Sequence, residues 1–220
     1  MGFDTSRPSL SRIFQYLTAA APGLAELVTI DKVWEIAQLE RRTAGASPYD
    51  LTIMDAPATG NGIALLRAPR TYGAIAKVDP IRGHALAIDA FISDPASTAV
   101  VAVALPEEMP VNETIDLERR LRDELGRELS HVLVNGLFPG RFSAKEAKAI
   151  EALNGAGSPA ARETLAAALS ADVRARSQRS QLARLRRGTS AAVSTLPFLL
   201  TPELELGDLE ALSRELERML

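Results

Sequence analysis

An α/β protein with a parallel sheet and helices on both faces is the fold class this sequence predicts. Three observations carry that prediction. Short runs of apolar and β-branched residues alternate with stretches of helical periodicity along all 220 residues. The run at 98–105, TAVVAVAL, is continuously apolar, as a strand covered on both faces is. Three runs end in polar turns, at Asp55, at Pro106-Glu107 and at Asn135, and open parallel sheets gather their ligand chemistry at such carboxyl ends.

In chain order, Leu10, Ile13, Phe14 and Leu17 give 9–21 helical spacing, and Pro22-Gly23 ends it. A helix over 24–42 follows, with Leu27, Ile30, Val33, Trp34, Ala37 and Leu39 on a largely one-sided apolar face and Trp34 as a core anchor. Residues 51–54 read as a short buried strand running into Asp55 and a Pro/Gly turn, 56–60. A short helix over 64–69 is closed by Pro69, and a helix over 71–92, interrupted at Asp79-Pro80, holds His84 as a half-exposed surface residue. The second buried strand is 98–105, and a charged helix runs from Asn112 or Glu113 to Leu125 with Glu118, Arg119, Arg120, Arg122, Asp123 and Glu124 on a solvated face.

The third strand is 131–135. Ser143 with Glu146 three residues on makes a capping box for a helix over 143–153. Residues 159–187 form one long helix or two, so 143–190 is a helical segment set into the domain. Its Arg174, Arg176, Arg179, Arg184, Arg186 and Arg187 form a solvated face, or else a stripe for phosphate or anionic lipid. A fourth strand at 191–196 and an amphipathic helix over 209–220 close the chain.

Composition narrows the chemistry. A net charge of −3, from 25 basic and 28 acidic side chains, supplies no basic field for nucleic acid, so no nucleic-acid partner is expected. The chain has no cysteine, which excludes disulfides, thiolate metal sites and a thiol nucleophile. His84 and His131 lack metal-ligand spacing. No window approaches a membrane-spanning apolar run, and no signal-peptide pattern is present. The expected location is the cytoplasm, with peripheral membrane association as the alternative.

Four motifs occur in an order that resembles the ArsA-type anion-transporting ATPases, the P-loop branch that includes the arsenical-pump and tail-anchored-protein-targeting ATPases. They are PGLAE at 22–26, DAPATG at 55–60, PEEMPVNET at 106–114 and VNGLFP at 134–139, and the segment LPFLLTPELELGDLEAL at 196–212 looks like that family's closing strand, loop and helix. The resemblance covers roughly residues 20–216. It implies a P-loop NTPase-like sheet and ATP with Mg²⁺ as ligands. Asp55 would hold the Mg²⁺, and the segment with Thr59 and Gly60 would be the switch that follows the γ-phosphate. Asn135 would bond the adenine edge, with Pro139 and the loop from Pro197 to Pro202 packing about the base. The family works as a dimer and serves a transporter or a membrane-protein client.

One departure outweighs the rest, Asn61 in place of a frequent His being minor. The family's phosphates rest in a Gly-rich loop bearing Lys, yet the four lysines, Lys32, Lys77, Lys145 and Lys148, all lack a preceding Gly, and no GxxxxGK(S/T) occurs. The first P-loop strand is therefore missing from a domain that otherwise spans 1–220. The expectation is an N-terminally incomplete ArsA-like ATPase domain, inactive alone, with no catalytic residue of its own. The alternative is a non-catalytic interaction subunit that completes its sheet with a partner, because removing a central strand leaves backbone edges unpaired at 51–54 and 99–105. Without cysteine, thiol coordination of arsenite by this segment is excluded.

Overall fold

The computed structural model describes residues 23–43, 45–76, 81–153 and 157–219. The expected helix at 9–21 lies outside them. The chain divides into two compact units, Met1–Ala99 with Arg120–Arg127, and Val100–Arg119 with Glu128–Leu220.

Unit 1 is helical. Its described elements are α1 (Leu24–Ile36), α2 (Thr59–Ile75), α3 (Ile81–Ser93) and a π-helical turn at Leu121–Leu125. Ile30, Leu65, Ile88 and Ile92 form the core, with Leu27, Val33, Trp34, Met54 and Leu66 packed against it. Trp34 is thus the anchor its spacing implied. The helices α2 and α3 approach so closely that a Cβ on Gly73 would stand 3.0 Å from Leu86 Cδ2. Arg127 is buried, and its guanidinium donates to the carbonyl oxygens of Ile92 and Thr98, closing the C-terminal end of α3.

Three expectations fail in this unit. Residues 51–54 are not a strand: the backbone pairs with no neighbour among the described residues, and Leu51 and Ile53 are 74% and 84% exposed. An apolar, β-branched run lacks a ladder here because no adjacent strand among the described residues meets its N–H and C=O groups. Pro69 does not close a short helix; it lies buried inside the 17-residue α2. Its ring removes one i→i−4 bond without ending the helix, and burial of Ile63, Leu65 and Ala68 offsets the loss. The helix read over 24–42 stops at Ile36, and the break expected at Asp79-Pro80 falls outside the described residues.

Unit 2 is α/β. It contains β1 (Val101–Ala104), α4 (Glu108–Arg120, whose last residue belongs to unit 1), β2 (His131–Leu137), α5 (Ala144–Ala152), α6 (Pro159–Gly188), β3 (Ala192–Pro197) and α7 (Leu206–Glu217). The strands form one parallel sheet in the order β1-β2-β3. Ala102, Ala104, Val132 and Val134 are buried on one face. Residues 159–187 prove to lie in a single 30-residue helix, Pro159–Gly188, begun by a Ser158 cap and Pro159. The Ser143–Glu146 capping box forms as read.

Two further corrections concern the sheet. The run 98–105 pairs only over Val101–Ala104, and Val101 and Val103 are 53% and 69% exposed, so β1 is an edge strand covered on one face. Nor is the charged face of α4 wholly solvated. Glu118 is buried and accepts hydrogen bonds from the Ser190 N–H at 3.1 Å and from its hydroxyl at 2.5 Å. A buried carboxylate needs such donors, and the turn before β3 supplies them. Among the described residues, no helix is long and apolar enough to cross a membrane.

Candidate functional site

In unit 2, β2 leaves its ladder just after Val134. The register with β3 runs Val134↔Thr195, then Leu137↔Pro197, so two residues of β2 oppose one of β3. Gly136 permits this bulge with φ +74°, a conformation that side chains with a Cβ rarely adopt. The bulge leaves Asn135 exposed, and its side-chain amide has no hydrogen-bond partner among the described residues.

The chain beyond the bulge is held firmly. Phe138 N–H donates to the buried Gln178 Oε1 at 2.8 Å, and Phe198 N–H donates to Leu137 O at 2.9 Å. These bonds bring the Phe138 and Phe198 rings into a stack, centroids 4.2 Å apart and planes 24° apart. The Arg174 guanidinium lies 4.9 Å from the Phe138 centroid. Pro139 follows on the β2 side and Pro197 ends β3, so the structure gathers Asn135, Pro139 and Pro197 at one end of the sheet.

Phe138 and Gln178 are not among the residues the sequence singles out, whereas Phe198 lies in the loop from Pro197 to Pro202 and Arg174 in the basic stripe. The available signal was two phenylalanines, each beside a proline at a strand end, Phe138-Pro139 and Pro197-Phe198.

The other expected site residues, Asp55, Thr59 and Gly60, belong to unit 1. Asp55 is exposed and sits in extended chain rather than at a strand end. Thr59 opens α2, and Ala58 O accepts from Asn61 N–H at 3.0 Å and Gly62 N–H at 3.1 Å. No group of three or more His, Cys, Asp or Glu side chains able to hold a metal occurs among the described residues. A Mg²⁺ that keeps its waters and binds substrate phosphates needs only one or two carboxylates, and Asp55 offers one.

Chemically, the end of β2 and β3 suits a flat heteroaromatic ring. A half-exposed aromatic pair offers a π-face, and a free carboxamide offers one donor and one acceptor to a base edge. The described residues hold no Gly-rich loop with Lys for phosphates.

No protein-family profile matches the chain. Over 139 residues, 62% of its length, it is 27% identical to the protein named ATPase BagA of Mycobacterium tuberculosis and to "Putative ATPase Mb3704" of Mycobacterium bovis. The aligned part is 40% of the length of each relative. The figures coincide, so the two alignments count as one observation.

Proposed function

We propose that this chain supplies the adenine-recognition part and a switch segment of an ArsA-type ATPase. The observation that carries the reading is the exposed, unpartnered Asn135 amide beside the Phe138–Phe198 stack, at the carboxyl end of a parallel sheet. Similarity to proteins named ATPases and the motif order support it.

In this reading Asn135 pairs with the adenine edge, while Pro139, Pro197 and Phe198 pack about the base. Gln178 is a positioning residue that fixes the loop through Phe138 N–H. Asp55 holds Mg²⁺, and Thr59 and Gly60 follow the γ-phosphate. The bound Mg²⁺-nucleotide supplies the phosphate chemistry. The complete molecule works as a dimer, and hydrolysis drives anion transport or membrane-protein targeting. The chain itself contains no GxxxxGK(S/T) loop, so it binds nucleotide without turning it over.

A phosphate-release assay on the 220-residue chain with ATP and Mg²⁺ tests this. Turnover well above the buffer rate that is lost in Asp55→Asn would overturn the inactivity. A second reading, an interaction subunit that completes its sheet with a partner strand, is favoured by β1, an edge strand whose Val101 and Val103 are exposed. Unchanged self-association and client capture after Val103→Lys would count against it.

A further inference from the structure

A concave site lies wholly inside unit 1, and the nucleotide reading does not use it. A cavity of about 470 Å³ lies along α1 and α3, lined by the apolar Leu27, Val28, Ile81, Ala85 and Ile88. That volume is within the roughly 300–1,000 Å³ usual for small-molecule sites. Val28 and Ile81 are 39% and 62% exposed, so apolar surface is left open at the rim.

Asp31, His84 and Arg42 make the polar end. His84 Nε2 and Asp31 Oδ1 are 2.5 Å apart, and Arg42 Nη2 is 3.5 Å from the same oxygen. An ionised carboxylate only accepts, so the proton of this bond sits on Nε2. The 3.3 Å approach of Arg42 Nη2 to Nε2 is then a contact between two donors, not a hydrogen bond. Asp31 Oδ1 thus accepts from His84, and Arg42 is held to the same oxygen by a single long bond. Its Nε and Nη1 donors have no partner among the described residues, and its side chain is 57% exposed. A guanidinium with two donors, Nε and Nη1, left open beside an apolar trough suits an anion head on a hydrocarbon body.

We infer that this cavity binds a medium-chain monocarboxylate, its chain between α1 and α3 and its head on Arg42. Phosphate alone leaves the trough unfilled, and an alcohol of the same length brings no negative charge to the open Nε and Nη1 donors of Arg42.

Trp34 reports on the site. It is the chain's one tryptophan, its ring meets His84 edge-on at 5.0 Å, and Arg42 lies 5.8 Å from its centroid. The experiment is a fluorescence titration of the full chain with butanoate, hexanoate, octanoate and decanoate, repeated with the matching primary alcohols and with inorganic phosphate, and checked by calorimetry. The expected result is saturable binding that tightens about three- to fourfold per added methylene up to the cavity's capacity. Arg42→Gln should weaken it about tenfold or more, with Arg42→Lys recovering part of the loss. Val28→Phe, which fills the rim and spares the polar trio, should weaken the longer chains selectively and guards against misfolding of the Arg42 variants. No saturable binding, equal binding of alcohols, equal binding of phosphate, or an Arg42→Gln variant with wild-type affinity would each overturn the inference.

Discussion

The carboxyl end of β2 and the segment carrying Asp55 are both motif-bearing stretches, yet they are built differently. At the first, Val132 and Val134 are fully buried, Gln178 fixes the next turn, and Asn135 is left open. At the second, Leu51, Ile53 and Asp55 are exposed and the backbone has no ladder. A motif thus places a side chain only where its flanks find partners in the same unit. The flanks of Asn135 are held by a strand ladder, whereas Asp55 has only Met54 packed beside it and no ladder among the described residues.

The contrast is open to attack by stability measurements. Val134→Ala removes two fully buried methyl groups and should cost about 1.5–3 kcal/mol in urea unfolding, whereas Ile53→Ala should change stability by less than about 0.5 kcal/mol. Comparable losses would mean that residue 53 is covered, and the contrast would fail.

Gln178→Ala should come next. It leaves the Phe138 N–H without its buried acceptor, at about 1–3 kcal/mol, and should release the ring stack, visible as a changed near-ultraviolet signal. An unaltered aromatic signal would show that the stack does not depend on this bond.

The smallest effect concerns pH. Hydrogen bonds from the Ser143 N–H and hydroxyl hold the Glu146 carboxyl below its ordinary value of 4.5. A lowered folded-state pKa contributes stability that is present above the ordinary value and is lost as pH falls through the folded one. The start of α5 should therefore keep its hydrogen-exchange protection at neutral pH and lose some of it below about 4.5, a dependence that Glu146→Gln should abolish. Protection that fell at neutral pH would contradict the sign.

What the sequence made legible follows the same division. The Ser143–Glu146 box and the Ser158-Pro159 start of α6 depend on residues a few positions apart, and both were readable. The polar residue closing the third predicted strand was readable too, since β2 does carry an open Asn135, whereas Asp55 ends no strand. Residues 51–54 and 98–105 were misjudged because apolar content reports that a run can be covered, not that a neighbour covers it. Glu118 was misjudged because its partner Ser190 is 72 residues away. Phe138 and Phe198 meet only through the β2–β3 register, which composition does not encode.

The central claim is that the end of β2 and β3 recognises adenine, and adenosine, which carries no phosphate, tests it most directly. Calorimetric titration of the chain should show saturable adenosine binding, guanosine at least about tenfold weaker, and a loss of about tenfold in Asn135→Ala with the fold intact by circular dichroism. Equal affinity for adenosine and guanosine, or adenosine binding untouched by Asn135→Ala, would contradict the account.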